Sequence, residues 1–279
     1  MTNHEQIKGL VWNIQSGGFS SYDTNGISPE REPQINSVLL AAKQVHSIDT
    51  VTLTDAYRWD EVYGGDNGIA EHLGYGSANF QELNDDRLTS IHGKGVGIVF
   101  ATDKKIQQSQ AIDLETRQGL GVILDVGAHG LQIANVYLDD LSEEVRMAQV
   151  KALINGIEPD VPTILVGDFN ALRADMSRAS LGTKAANLAV RALAKSLPKK
   201  GELGITVAGM NKRQAVPALL SLGFNDADEK RKRPTAPSKL PLFGVDYVFH
   251  NKKARVTDLD IHSNKDASDH ASLTYTARV

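Results

Sequence analysis

Five places along the chain set a group able to hold a cation or a phosphate beside an apolar run. They are Asn13 in VWNIQ, Asp55 in VTLTDAY, Asp168 and Asn170 in LVGDFNA, Asp246 in GVDYVF, and Asp269 with His270 in ASDHASL. Taken singly, each is also what a turn needs, because Asp and Asn side chains bond their own backbone two residues on. Taken together they offer carboxylate and amide oxygens and one imidazole. The absence of cysteine removes thiolate nucleophiles, disulfides and cysteine zinc sites, and the eight histidines show no H-E-x-x-H pairing. Any metal therefore sits among oxygen ligands, which suits a hard cation such as magnesium or manganese.

Strands must carry these groups. Apolar runs rich in β-branched residues recur at 7–14, 50–54, 95–101, 121–126, 131–138, 162–167, 245–250, 255–262 and 271–277. Between them, Pro33 starts a helical pattern with Ile35, Val38, Leu39, Ala42 and Val45 on one face, and Asp140 with Glu143 caps another running to about Ile157. The runs at 121–126 and 131–138 form an antiparallel hairpin pattern, as do 245–250 and 255–262 across Asn251-Lys252-Lys253. Helices separate strands without regular alternation, which predicts an α/β protein with two mixed sheets packed face to face and helices outside.

A chain of 279 residues with 41% hydrophobic content can bury one full core, so residues 1–279 are taken as a single domain. Its formal charge of -4 is unevenly spread: residues 171–240 hold 14 Lys+Arg against 5 Asp+Glu, leaving the remainder strongly acidic. This basic segment is an elaboration between core strands, with a helical stretch at 184–197 and a proline-rich, charged loop at 229–241. Its densest run, Lys230, Arg231, Lys232 and Arg233, either tracks a phosphate backbone or forms a solvated loop. The apolar runs are far shorter than the roughly 20 residues of a membrane helix, and the amino terminus lacks a signal-peptide core. The expectation is a soluble, cytoplasmic protein.

In order along the chain stand Trp12-Asn13, Asp55, Gly167-Asp168-Phe169-Asn170, Asp246-Tyr247 and Ser268-Asp269-His270. This series resembles the ordered motifs of the endonuclease/exonuclease/phosphatase superfamily, and the resemblance spans nearly the whole chain. It implies a four-layer α/β/β/α sandwich with the site at one edge of the two sheets. It also implies hydrolysis of a phosphoester, which needs charge neutralised on the phosphate oxygens, a water in line and help for the leaving group. By the family pattern Asp55 and Asp269, with Asn13 nearby, hold magnesium or manganese, and Asp168 orients or deprotonates the attacking water. Asn170 positions the phosphate, and His270, paired with Asp246, contacts a phosphate oxygen as an imidazolium.

Tyr137 in ANVYLDD resembles the tyrosine of the exonuclease III and abasic-site endonuclease branch, where pancreatic-type deoxyribonucleases and sphingomyelinases carry a histidine. Arg146 and Gln149 resemble an R-x-x-Q that supports the site, and Leu222 to Asp228 resembles a G-F-x-D stretch before the D-Y strand. Two positions depart from the pattern. Gln15-Ser16-Gly17-Gly18 replaces N-G-x-R after the first strand, and Thr54-Asp55 replaces a Q-E pair. Aspartate is shorter by roughly 1.5 Å, whereas magnesium wants oxygens at about 2.0–2.1 Å. A closer strand, an intervening water, manganese, or Glu61 in place of Asp55 would each make up the difference. The stretch HGKGVG at His92 lacks the phosphate-loop pattern, and no serine triad has independent support.

The leading expectation is thus a metal-dependent phosphodiesterase acting on DNA. The alternatives are a small or lipid phosphoester hydrolase, of inositol phosphate or sphingomyelin type, and a catalytically weak nucleic-acid-binding protein.

Overall fold

Alternation of side chains along each strand decides what faces what. In β1 (Gln6–Asn13), Ile7 and Val11 enter one apolar layer while Leu10 and Trp12 enter another. A strand buried on both faces needs cover on both, and the computed structural model supplies it. The structure describes residues 5–15, 31–86, 95–128, 130–172, 213–229, 234–236, 244–264 and 266–279.

After β1 come α1 (Glu32–His46), β2 (Thr50–Thr54), α2 (Trp59–Tyr63), α3 (Gly65–Leu73), β3 (Ser77–Glu82), β4 (Gly97–Thr102), β5 (Ile106–Asp113), β6 (Gln118–Leu124) and β7 (Leu131–Tyr137). Then follow α4 (Glu143–Asn155), β8 (Thr163–Asp168), α5 (Ala215–Ser221), β9 (Asn225–Asp226), β10 (Asp246–His250), β11 (Arg255–His262) and β12 (Ser272–Arg278). The strands form two mixed six-stranded sheets, ordered β11-β12-β1-β2-β4-β3 and β5-β6-β7-β8-β10-β9. Between them lies a core that takes Ile7, Val11, Phe100 and Leu273 from the first sheet and Val122, Ile133, Val166 and Val248 from the second. The outer face of the first sheet packs on α1, α2 and α3 through Leu39, Trp59 and Ile69. That of the second packs on α4 and α5 through Val150, Leu153 and Leu219. The expected α/β/β/α layering is therefore the observed one.

Glycine has a specific task in β1. A Cβ on Gly9 would lie 2.3 Å from the Tyr275 ring, so its absence lets that ring fill the inter-sheet core. Polar groups also bridge the layer: Asn135 Nδ2 donates to Leu53 O (3.0 Å) and Val99 O (3.2 Å) of the opposite sheet.

Several expectations need correction. The β6–β7 hairpin is present, but β10 and β11 do not pair; β10 joins β8 and β9, while β11 joins β12 in the other sheet. The turn between them crosses the sandwich because Asn251 anchors it to the start of β8, its Oδ1 accepting from Thr163 N–H and its Nδ2 donating to Val161 O. Helix α4 is capped by Ser142, whose Oγ accepts from Val145 N–H, rather than by Asp140 with Glu143. Most of the basic elaboration, including 184–197 and Lys230 to Arg233, lies outside the described residues. No helix among the described residues is long and apolar enough to cross a membrane.

Candidate active site

The alternation that buries Val11, Ile133, Ile164, Val166 and Val248 between the sheets also turns Asn13, Asp168 and Asp246 inward at one rim. Strand register keeps them level. Asn13 stands opposite Thr54, Tyr137 opposite Asp168, and Asp168 opposite Asp246. The two sheets meet there through side chains: Asn13 Nδ2 of the first donates to Asp168 Oδ2 of the second at 3.0 Å. The other carboxylate oxygen of Asp168 accepts from Asn170 N–H at 2.8 Å, which is the turn bond expected of an Asp two residues before a chain reversal. Asn170 adopts φ +47 and donates from Nδ2 to Leu138 O. The LVGDFNA pair thus closes a turn and holds a site group at once.

His270 arrives from the first sheet. Its Nδ1 faces both oxygens of Asp246, at 3.1 and 2.9 Å, and its Nε2 lies 3.9 Å from Asp168 Oδ2. The backbone is fixed on either side: Trp12 Nε1 donates to His270 O, His270 N–H donates to Ser268 Oγ, and Ser268 Oγ donates to Asn13 O. Burial alone would lower the imidazole pKa, but the Asp246 carboxylate and its hydrogen bond, aided by Asp168 and Asp269, raise it to about 10. Asp168 is pushed up to about 7 by burial and by Asp246, against the pull of His270 and the Asn170 and Asn13 hydrogen bonds. Burial, Asp55 and Asp168 together hold the Tyr137 phenol well above its ordinary value, so it stays protonated.

Asp55 follows β2 in a left-handed conformation, φ +57, beside Ile14, whose N–H donates to Thr54 O at 3.1 Å. Thr54, the residue before it, pairs in register with Asn13, which places Asp55 at the same rim. Glu61, by contrast, is bound to Arg58 at 2.7 Å, and Asp269 is exposed on the loop before β12. Asp168, Asp246 and His270 have donor atoms within 4.8 Å of one another, yet the Asp168 and Asp246 oxygens already serve Asn13, Asn170 and His270. A divalent cation fits this rim on charge and donor type. Asp55, Asp168, Asp246 and Asp269 bring four carboxylates against one imidazolium, with the Asn13 amide beside them and no sulfur.

Sequence reasoning missed Arg117. Fully buried ahead of β6, it donates to Asp85 Oδ2 (2.6 Å), Leu138 O (2.6 Å) and Asp140 Oδ1 (3.2 Å), and its guanidinium lies 4.9 Å from the Tyr137 ring centre. Nothing in a lone arginine among 30 Lys+Arg marks it out. Arg146 and Gln149 do support the rim. Arg146 donates to Asp139 O and Glu143, and Gln149 Oε1 accepts from Asp139 N–H. Glu143 also accepts from Gln214 and Ala215 N–H, tying α5 to α4.

The Endonuclease/Exonuclease/phosphatase family profile matches residues 10–270. The chain belongs to this family. As a member, it is a metal-dependent phosphoester hydrolase. No curated protein matches the sequence significantly. Among solved structures of the fold, an endonuclease/exonuclease/phosphatase from Beutenbergia cavernae aligns with a TM-score of 0.66 at 18% identity, covering 98% of this chain and 72% of that one. A mannosyl-6-phosphatase from Bacteroides thetaiotaomicron aligns with a TM-score of 0.60 at 13% identity over 96% of this chain and 98% of that one. ANGEL2, a 2',3'-cyclic phosphatase solved with adenosine-2',3'-vanadate, gives 0.60 at 15% identity over 100% and 97%. Identities this low establish the shared fold.

Proposed function

We propose that this family member is a magnesium- or manganese-dependent phosphodiesterase acting on DNA, of exonuclease or abasic-site endonuclease type, with residues 1–279 forming one catalytic domain. The observation that carries the reading is that His270 Nε2 and Asp168 Oδ2, brought by different sheets, stand 3.9 Å apart at one rim. Asp246 accepts a hydrogen bond from the Nδ1–H of His270, which leaves Nε2–H to donate to a phosphate oxygen docked at that rim. Asp168, held by Asn13 and the Asn170 N–H, stands there as the acceptor for a water proton. The water oxygen bonds to phosphorus as the P–O bond to the leaving oxygen breaks, and the water proton passes to Asp168.

Asp55, Asp269 and Asn13 would hold the cation. When bound it neutralises charge on the non-bridging phosphate oxygens. Tyr137, kept a neutral phenol, donates to a phosphate oxygen, and Asn170 fixes the turn that presents Asp168. The run Lys230 to Arg233 would bind the phosphate backbone of a nucleic acid, and the net positive charge of residues 171–240 supports that partner. Tyr137 favours the exonuclease III branch. A second reading, a phosphatase of small phosphoesters, gains weight from the mannosyl-6-phosphatase that shares the fold.

The test is a panel of duplex, single-stranded, nicked and abasic DNA, RNA and phosphomonoesters, each with magnesium, manganese or EDTA. DNA cleavage with either metal, lost in EDTA and in Asp168→Asn, is the expected result. Turnover confined to phosphomonoesters would replace the nuclease reading with the second one, and full activity of Asp168→Asn would overturn the mechanism.

A further inference from the structure

Thr235 stands in a short described stretch, residues 234–236, two residues past Arg233. It is wholly buried. Its Oγ1 accepts from both Val245 N–H and Asp246 N–H at 3.2 Å, at the start of β10 in the second sheet. Its carbonyl accepts from Ala271 N–H at 2.8 Å, next to His270 at the start of β12 in the first sheet. One residue therefore grips the backbone of Asp246 and that of Ala271, the residue after His270, from the two sides of the sandwich seam.

That grip matters because the His270–Asp246 pair has no covalent or same-sheet connection near the site. β10 and β12 lie in different sheets, and the 2.9 Å bond from His270 Nδ1 to Asp246 spans the gap between them. A hydrogen bond weakens steeply with misalignment, and a displacement near 1 Å at a reacting group can cost about 10²-fold in rate. We infer that Thr235 is a positioning residue that sets the register of the His270–Asp246 pair across the seam between the sheets. This rests on the reading of His270 as the phosphate-facing donor.

The substitutions to compare are Thr235→Val, which keeps the branched shape but removes the acceptor, and Thr235→Ser, which restores it. Two readouts are taken well below Tm: kcat and KM on the best substrate of the panel, and the NMR resonance of the His270 Nδ1 proton. Expected for Thr235→Val is a kcat about 10–100-fold lower with KM little changed, together with loss or upfield movement of the Nδ1 proton signal; Thr235→Ser recovers both. Leu219→Val in α5, which destabilises far from the rim, separates general loss of stability from positioning and should leave the signal in place. An unchanged Nδ1 signal and kcat in Thr235→Val would overturn the inference, as would an equal kcat loss in Leu219→Val at matched Tm. If Thr235→Val does not fold, Thr235→Ser against Thr235→Ala carries the same comparison. The signal reads the pair without substrate, so a shift in Thr235→Val alongside full activity of His270→Gln would refute the function of His270 and leave the positioning intact.

Discussion

Gly167→Ala should displace the Asp168 carboxylate, the proposed acceptor of the water proton, without touching it. Gly167 adopts φ +124, and a Cβ there would stand 2.0 Å from Val136 O and 3.0 Å from Asn135 Oδ1. Side-chain contacts do not persist below 3.0 Å, so β7 and β8 must part by about 1 Å at the level where Val136 faces Gly167. The next pair in register is Tyr137 with Asp168. The backbone conformation costs about 1–3 kcal/mol for a non-glycine residue, and the overlap about 1–3 kcal/mol more. A total of roughly 2–6 kcal/mol lowers Tm by roughly 5–20 °C in a chain of this size, and the displacement of Asp168 lowers kcat by about 10²-fold. Gly74→Ala is the matched control: φ is +71 there, nothing lies within 4 Å, and the cost is about 1 kcal/mol with kcat unchanged. Thermal denaturation and steady-state kinetics on the two variants decide the matter. Wild-type kcat and Tm in Gly167→Ala, or an equal kcat loss in Gly74→Ala, would refute the argument.

Three further outcomes follow from the same geometry. Asp246→Asn removes the anion that holds His270 protonated and oriented, so kcat should fall by about 10²–10⁴-fold and Tm should fall with the loss of the buried pair; undiminished turnover would show that the pair is idle. Arg117→Met leaves Asp85 without its guanidinium in a buried network, which should cost about 3–5 kcal/mol by denaturant titration, and adding Asp85→Leu should recover part of the loss; equal stability of the single and double variants would count against the network. His72 has its pKa lowered by burial, with Glu32 opposing, so the unfolded chain binds the proton more readily. Its contribution is complete above the ordinary value of 6.5 and declines as pH falls below it, and His72→Gln should flatten that acid-side slope in Tm.

Much of the fold was legible because its central strands are buried on both faces and read as continuous apolar runs. IKGLVWNI, TVTLT and PTILVG announce themselves for that reason. Of the strands that escaped notice, β3 as SANFQE and β5 as IQQSQAID lie at sheet edges with half-exposed faces, so they lack both apolar runs and clean alternation, and β9 has only two residues. Pairing partners were harder still. Whether Asn251-Lys252-Lys253 turns back or crosses the sandwich depends on Asn251 finding Thr163, 88 residues away. At the rim, Asn13, Asp168, Asp246 and His270 were readable because motifs fix their types. Arg117 and Thr235 were not, since their roles come from what long-range folding brings beside them.

The chain builds its two sheets from different portions of its length. Residues 106–250 supply all of β5 to β10, while the first sheet is assembled from what precedes and follows them. Each sheet brings only half of the rim: Asn13 and His270 on one, Asp168 and Asp246 on the other. Neither half can act until the middle of the chain has closed onto the joined flanks. On the proposed mechanism turnover therefore reports docking, and an error of alignment between two intact sheets would silence the enzyme while its secondary structure remains whole.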